Sequence, residues 1–237
     1  LLKSKLPEKG SLEFATAVSD VAKSSDIIIE AVPERLSVKQ SVYDEIESNG
    51  SKDLIITSST SGILPSDLQS EMKHPERLIV AHPFNPVYLL PLVELVGGKQ
   101  TSHEVIEKAS TIFRHIGMFP LHIKKEIPAF IADRLLESVW REALWLVNDN
   151  VATTEEIDDA IRYGFGLRWA QMGLFETYRL AGGEAGMRHF ISQFGPCLEW
   201  PWTHLMDVPE FTDELVDKVS NQSDAQSGQY SIDELMQ

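Results

Sequence analysis

The chain of 237 residues contains 21 basic and 36 acidic residues, which give a formal net charge of −15 at pH 7, and 43% of its residues are hydrophobic. This acidic balance argues against a nucleic-acid partner, because binding to phosphates requires clustered Lys and Arg. No apolar run approaches the roughly 20 residues of a membrane-spanning helix, and the single cysteine, Cys197, allows no internal disulfide, so we expect a cytoplasmic protein without a membrane partner.

In the first half of the chain, short apolar runs alternate with amphipathic stretches. The runs at residues 12–14, 27–29, 54–56 and 78–81 are typical of strands, and the intervening residues 16–23, 35–48 and 65–72 are typical of helices. A continuous apolar run such as residues 27–29 suits a central strand of a parallel sheet that is buried on both faces. The repetition of strand, helix and strand predicts an α/β fold with a Rossmann-type, doubly wound sheet.

A histidine and a glutamate follow the last of these strands closely. His82 comes directly after residues 78–81, and Glu94 lies within a second apolar run at residues 92–96, beyond a segment interrupted by prolines. Two side chains at the ends of neighbouring strands can meet in space. An alcohol dehydrogenase without a metal needs such a pair, in which an imidazole accepts the hydroxyl proton and a carboxylate fixes its tautomer. The alternative is a surface turn with an ordinary histidine and a half-buried acid.

The second half of the chain is helical. After a strand at residues 120–123 and a polar hinge at residues 124–126, apolar positions recur every four residues and predict a long helix from residue 128 to about residue 148. Further helices are predicted at residues 154–163, 170–180, 184–194 and 209–220. The chain therefore divides into an α/β domain at residues 1–126 and an all-α domain at residues 127–237.

Aromatic side chains are concentrated in this helical half, which contains Trp140, Trp145, Tyr163, Phe165, Trp169, Phe175, Tyr178, Trp200 and Trp202. Aromatic faces attract quaternary ammonium groups through cation–π interactions, although core packing or a dimer surface would also account for them. Arg168 and Arg179 could hold a substrate carboxylate, because guanidinium binds a carboxylate through two parallel hydrogen bonds. A surface ion pair is the alternative role for each arginine.

Three spaced motifs resemble those of one family. The segments STSGI, HPFNP with VEL, and PAFIADRLL follow one another as they do in the 3-hydroxyacyl-CoA dehydrogenase family, and the resemblance covers nearly the whole chain. It implies a catalytic group of Ser61, His82, Glu94 and Asp133, although the family usually has asparagine at the last position. Within the family, the segment GFGLRWAQMGLFETYRLAGGEAGMRHF is most similar to the branch that oxidises L-carnitine. The branch of gulonate dehydrogenase and lambda-crystallin is a nearer alternative than the fatty-acid enzymes.

The resemblance also implies that the cofactor is NAD. It places Ala31, Glu34 and Lys39 beside the nicotinamide ribose, and Ser59 and Ser61 at the carboxamide end. Loops at the carboxyl ends of parallel strands face the ligand crevice, which agrees with the first three positions. A solvated helix start is the alternative explanation for Glu34 and Lys39.

The sequence does not show one element that a dinucleotide-binding sheet has. Such a sheet begins with a strand, a Gly-x-Gly-x-x-Gly loop and a helix, whose N-terminus holds the pyrophosphate. No such element precedes residue 12, and the string at residues 164–166 lacks the third glycine and is predicted to end a helix. From the resemblance, we expect the N-terminal part of the Rossmann-type sheet to be missing from this chain.

These observations predict an NAD-dependent dehydrogenase that oxidises the 3-hydroxyl of L-carnitine to give 3-dehydrocarnitine. His82 would act as the general base, Glu94 would orient it, and Ser61 and Asp133 would bind the substrate oxygen. Arg168, Trp169 and Arg179 are the candidate substrate contacts. No metal is expected, because no His or Cys cluster has ligand spacing.

The same residues leave other functions open. A small 3-hydroxy acid other than carnitine, 3-hydroxyacyl-CoA or L-gulonate, would suit the same catalytic group. A catalytically silent structural protein, as the crystallin branch provides, is the alternative from a different class. In each case we expect a homodimer formed through the helical domain.

Overall fold

The computed structural model describes residues 10–205, 212–231 and 234 of the chain. The chain forms two compact units, which divide between Arg134 and Leu135. In the described part of the chain, no helix is both long enough and apolar enough to cross a membrane.

The first unit contains, within the described residues, a five-stranded sheet. Its strands lie in the order β1 (Ile27–Glu30), β2 (Ile55–Ser58), β3 (Leu78–Pro83), β4 (Leu92–Gly97) and β5 (Phe119–Ile123). Neighbouring strands are parallel except β3 and β4, which are antiparallel. The helices of this unit are α1 (Val18–Ala22), α2 (Leu36–Asn49), α3 (Pro65–Leu68) and α4 (His103–His115), and 3₁₀ turns are formed by Gln69–Glu71 and Pro75–Arg77. The predicted Rossmann-type α/β fold is confirmed.

Helices cover both faces of the sheet, which explains why its strands are apolar at successive positions. In β3, Leu78 and Val80 belong to a core that also includes residues of α1, α2 and α3, whereas Ile79 and Ala81 belong to a second core that includes residues of α4. Alternate side chains of a strand point to opposite faces, so each face of β3 is filled by its own pair. Because β1, β2 and β3 are parallel neighbours, their carboxyl ends lie together at one edge of the sheet.

One prediction for the beginning of the chain is wrong, and another is met only in part. Residues 12–14 form no strand, and Leu12 and Phe14 are 80% and 91% exposed. Residues 27–29 do form a strand, but Ile29 is 53% exposed and β1 is the edge strand of the sheet. Among the described residues β1 pairs with β2, and its other edge lacks a described partner, so the burial expected on both faces of a central strand is not reached.

The second unit is all-α, as predicted. The long helix α5 (Ala132–Asn148) extends across the division between the units, and it is followed by α6 (Thr154–Ala160), α7 (Gly166–Ala181), α8 (Gly186–Phe194) and α9 (Asp213–Ser227). Helix α6 begins at a capping box, in which Thr153 and Glu156 each accept a hydrogen bond from the backbone of the other. The ring of Tyr178 on α7 stacks on that of Phe190 on α8, with 4.6 Å between centroids. Of the helix predicted at residues 209–220, the first three residues lie outside the described ranges.

Truncation of a core side chain in β3 provides a test of this packing. Leu78 is fully buried, and Leu78→Ala should lower the free energy of unfolding by about 2–5 kcal/mol, because it removes buried methyl groups and leaves a cavity. Leu12→Ala is the matched control, since Leu12 is exposed, and it should change that free energy by less than about 0.5 kcal/mol. Chemical denaturation of both variants gives the comparison, and equal losses would contradict the assignment of these two leucines to core and surface.

Candidate active site

The candidate site is organised around His82, near the end of β3. In the antiparallel ladder His82 is the direct partner of Glu94 on β4, so their side chains lie on the same face of the sheet. The Nδ1 atom of His82 lies 3.0 Å from Oε2 of Glu94, and both side chains are buried. The structure thus brings together the two residues that the sequence placed on neighbouring strands.

The second carboxylate oxygen of Glu94 binds the beginning of α5. The backbone N–H groups of Ile131 and Ala132 donate hydrogen bonds of 3.0 and 2.9 Å to Oε1. Burial raises the pKa of Glu94, but the hydrogen bonds from His82 and from these two N–H groups outweigh it and lower the pKa below its usual value. Glu94 is therefore ionised at neutral pH. An ionised carboxylate only accepts hydrogen bonds, so Nδ1 of His82 is the donor, and in the neutral imidazole Nε2 then presents its lone pair.

The segment before α5 is held in an uncommon backbone conformation. Ala129 and Phe130 have φ angles of 61° and 50°, in the left-handed region that residues other than glycine seldom adopt. This turn directs the N–H groups of the next two residues at Glu94. The buried ring of Phe130 also packs against the imidazole of His82, with 5.6 Å between centroids. The bonds to Glu94 and this packing stabilise a turn that would otherwise be strained.

Asp133 lies on the other side of the imidazole. Its Oδ2 atom is 3.7 Å from Nε2 of His82, and its side chain is partly exposed. The position predicted to complete the catalytic group is therefore next to the nitrogen that can accept a proton. In its ionised form Asp133 can accept a hydrogen bond from a hydroxyl but cannot donate one to a carbonyl oxygen, which an asparagine could do.

The serines follow the strand β2. Ser61 is exposed in the loop after β2, and Ser59 is half-buried and donates its backbone N–H to the carbonyl oxygen of Glu30, at 2.9 Å. The ladder pairs Ser58 with Val80, so Ser61 and His82 come three and two residues after this pair, toward the carboxyl ends of β2 and β3.

A buried polar cluster at the ends of β1 and β2 was not anticipated from the sequence. Glu30, the last residue of β1, is buried, and its carboxylate accepts hydrogen bonds from Lys39 at 2.8 Å and from Tyr43, Ser58 and the backbone N–H of Val32 at 2.7 Å each. Burial, together with the charge of Glu30, raises the pKa of Tyr43, so Tyr43 remains a neutral donor. The signal in the sequence was a glutamate that ends the apolar run of residues 27–29, with a lysine nine positions later.

The predicted cofactor-binding residues surround this cluster. Lys39 is buried, and its Nζ atom lies 3.2 Å from Oε2 of Glu34, whose side chain is 47% exposed. Glu34 also accepts a hydrogen bond from Thr60 Oγ1. Burial raises the pKa of Glu34, but the hydrogen bond from Thr60 and the ammonium of Lys39 outweigh it and lower the pKa. Ala31 is exposed in the loop between Glu30 and Glu34.

The predicted substrate contacts lie in the second unit. Arg168 is exposed on α7, and the ring of Trp169 packs on Phe165 at 4.6 Å between centroids. Arg179 pairs with Asp224 of α9, so its guanidinium already has a carboxylate partner within this unit. In the same unit Trp145 stacks on His204, with 4.2 Å between centroids, and Trp200 packs edge to face on Trp202.

Models of known protein families match the sequence of both units. Residues 7–127 match the model of the 3-hydroxyacyl-CoA dehydrogenase NAD-binding domain, and residues 130–231 match that of the 3-hydroxyacyl-CoA dehydrogenase C-terminal domain. Together these matches cover nearly all of the chain.

Individual relatives are similar over most of the chain. An L-carnitine dehydrogenase of Mesorhizobium japonicum is 62% identical, over 97% of this chain and 64% of its own length. An L-carnitine dehydrogenase/betainyl-CoA thioesterase of Agrobacterium fabrum is 61% identical, over 99% of this chain and 48% of its own length. The chain thus spans between about half and two thirds of the length of these relatives. Among solved structures, an NAD⁺-dependent pyridine-carboxylate 5-dehydrogenase (FHMPC 5-dehydrogenase) has a TM-score of 0.75 at 28% identity, over 90% of this chain and 66% of its own.

The lowered pKa of Glu94 predicts how stability depends on pH. A carboxyl group whose pKa is lower in the folded state than the unfolded value of 4.5 contributes stability above that value, and the contribution is lost as the pH falls through the folded pKa. Glu94→Gln should therefore destabilise the protein at neutral pH, and its difference from wild type should shrink as the pH falls below about 4.5.

The control for this prediction is Glu104→Gln. Glu104 also has a lowered pKa, caused by Lys108, but it is exposed to solvent that screens the pair. Urea denaturation in steps of about one pH unit, between roughly pH 3 and 7, measures the free energy of unfolding of both variants. A Glu94→Gln deficit that stays constant across this range would be inconsistent with an ionised Glu94 in the folded protein.

Proposed function

The chain belongs to the 3-hydroxyacyl-CoA dehydrogenase family, and on that premise we propose that it oxidises the 3-hydroxyl of L-carnitine to give 3-dehydrocarnitine, with NAD as the hydride acceptor. The observation that carries the catalytic part is the buried contact of 3.0 Å between His82 and Glu94. The identity of about 60% to L-carnitine dehydrogenases supports the choice of substrate.

His82 acts as the general base in this proposal. Because Glu94 holds the proton on Nδ1, the lone pair of Nε2 is free to accept the proton of the substrate hydroxyl. The imidazolium that forms is stabilised by the carboxylate of Glu94. The hydrogen bonds that Glu94 accepts from the backbone at the start of α5 keep this carboxylate fixed in position, so little reorganisation accompanies the proton transfer.

Ser61 and Asp133 bind the substrate oxygen at different stages. The hydroxyl of Ser61 can donate a hydrogen bond to the oxygen as it becomes a carbonyl. Asp133, as an acceptor near Nε2 of His82, suits the alcohol before the proton leaves and the imidazolium afterwards. The asparagine that the family usually has at this position could also donate a hydrogen bond, which an ionised Asp133 cannot do.

The residues at the ends of β1 and β2 fit the nicotinamide half of NAD. Bound at these residues, the nicotinamide would supply the hydride acceptor for the oxidation of the alcohol. The exposed carboxylate of Glu34 is an acceptor for ribose hydroxyls, and the hydroxyls of Ser59 and Ser61 can serve both the donor and the acceptor of a carboxamide. Ala31 lies in the loop after β1, and Lys39 lies on α2, the helix that follows this loop. These side chains match the nicotinamide half of NAD. A ribose hydroxyl can donate a hydrogen bond to Glu34, and a carboxamide can both donate to and accept from the serine hydroxyls.

The helical unit supplies the substrate selection and the dimer in this proposal. Trp169 and its aromatic neighbours provide ring faces for a trimethylammonium group, and Arg168 or Arg179 provides a guanidinium for the carboxylate. Arg179 would have to exchange its partner Asp224 for the substrate, which makes exposed Arg168 the simpler choice. Assembly as a homodimer through this unit and a cytoplasmic location complete the proposal.

Removal of the base tests the catalytic assignment. His82→Ala in the purified enzyme should lower kcat by about 10²–10⁴-fold, because a general base contributes on that scale, while the affinity for NAD should change little. His103→Ala is the matched control, since His103 also lies beside a carboxylate, at 3.9 Å from Glu107, but is exposed on α4. Steady-state kinetics of NADH formation give the comparison. Turnover of His82→Ala close to that of the control would reject His82 as the base.

Substrate analogues test the choice of alcohol. Replacing the trimethylammonium group of carnitine by an uncharged tert-butyl group should lower kcat/KM by roughly 5–30-fold, the scale of about 1–2 kcal/mol of cation–π attraction. Similar kcat/KM values for the two alcohols would exclude recognition of the cation. Activity on 3-hydroxyacyl-CoA or L-gulonate without activity on carnitine would assign the chain to another branch, and no activity on any of them would favour the structural protein.

A further inference from the structure

The buried cluster at the ends of β1 and β2 contains a carboxylate for which the catalytic proposal has no use. The side chain of Glu30 is fully buried, and each of its two carboxylate oxygens accepts two hydrogen bonds. Burying a carboxylate is costly unless it is paired and hydrogen-bonded, and four donors satisfy it here. Such a fully satisfied group fixes the positions of all the elements that donate to it.

Lys39 connects this buried carboxylate to the surface. Three acceptors surround its ammonium, namely Glu30 Oε1 at 2.8 Å, Glu34 Oε2 at 3.2 Å and the carbonyl oxygen of Val32 at 3.4 Å. An ammonium has three donors, so these acceptors use all of them. With its side chain 1% exposed, Lys39 has neither the accessible surface nor a remaining donor with which to contact a cofactor directly.

Glu34 is the outer end of the same chain of contacts. One of its oxygens accepts from Lys39 and the other from Thr60, in the loop after β2. Thr60 in turn accepts backbone hydrogen bonds from Gly62 and Ile63, at 3.3 and 3.0 Å. The charges of Glu30 and Lys39 offset each other, which leaves Glu34 as an exposed, oriented anion.

We propose that Glu30 is a positioning residue for the cofactor end of the site, which acts through the buried ammonium of Lys39 to fix the carboxylate of Glu34. This inference rests on the proposed function, because it assumes that the nicotinamide ribose binds at Glu34. It reassigns Lys39 from a cofactor contact to the connecting link between the two carboxylates. Tyr43 and Ser58 hold the second oxygen of Glu30 and so set the direction in which the first one points.

A double-mutant cycle in the purified enzyme tests the proposal. Glu30→Gln replaces an acceptor by an amide N–H₂ among four donors, so Lys39 and Glu34 lose their fixed geometry. The dissociation constant for NAD, measured by calorimetry, should rise by roughly tenfold, the scale of one lost hydrogen bond to a charged group, while kcat at saturating NAD changes less. In the Glu34→Gln background the same substitution should have an effect of less than about twofold, because the group it positions is already altered.

Two further variants separate positioning from stability. Thr57→Val removes a different buried hydrogen bond in β2, from Thr57 Oγ1 to the carbonyl oxygen of Ile28, and should lower Tm without changing NAD affinity. If Glu30→Gln does not fold, Tyr43→Phe removes a single donor from Glu30, and it should weaken NAD binding by roughly threefold in the wild-type background alone.

The outcomes are distinct. An equal loss of affinity in the wild-type and Glu34→Gln backgrounds, or an unchanged affinity in folded Glu30→Gln, would overturn the inference, and so would a loss in Thr57→Val as large as that in Glu30→Gln. NAD binding that follows the predicted cycle in an enzyme without activity on carnitine would refute the proposed substrate and leave this inference standing. A wild-type enzyme that does not bind NAD would refute both.

Discussion

The contact between His82 and Glu94 depends on a single change of strand direction. Had β4 run parallel to β3, as the other neighbouring strands of this sheet do, residues 82 and 94 would not be cross-strand partners. The antiparallel pairing places both side chains on one face, and their burial removes competing water. Pro86 and Pro91 lie in the segment between the two strands, where a residue without a backbone N–H interrupts no ladder. The pairing of the two strands thus brings the imidazole of His82 into contact with the carboxylate of Glu94.

The same contact also couples the sheet to the helix that follows it. Glu94 accepts a hydrogen bond from the imidazole through one oxygen, and through the other it accepts from the N–H of Ile131, just before α5, and of Ala132, its first residue. N–H groups at the start of a helix have no acceptor within the helix, and they favour an anion. The hydrogen bonds to Glu94 therefore satisfy these donors and the buried carboxylate at the same time. The left-handed conformation of Ala129 and Phe130 is maintained by this arrangement. Loss of the charge at position 94 would therefore affect the orientation of His82 and the start of α5 together.

Most of the fold could be predicted from local patterns, whereas the buried polar cluster could not. The strands at residues 54–56 and 78–81 follow from apolar runs, and His82 with Glu94 follows from their places on adjacent runs. Leu12 and Phe14 have the same local pattern but no partner strand among the described residues, which periodicity cannot reveal. Glu30 and Lys39 looked like polar residues at a strand end and a helix start. Their burial depends on Tyr43 and Ser58, whose approach is set by tertiary packing.

The first unit therefore contains two buried carboxylates with opposite requirements. Glu94 is held by two backbone donors and by the imidazole of His82, and this third contact is the one that would change charge in the proposed reaction. Glu30 is held by four donors, among them the ammonium of Lys39 and the hydroxyl of Tyr43, whose raised pKa keeps that hydroxyl neutral. The proposed function needs both kinds of environment, because it places a proton transfer at one end of the site and the cofactor at the other. The contacts that fix Glu34 come from Lys39 and Thr60, and neither of these residues is bonded to His82, so the two ends of the site are held independently.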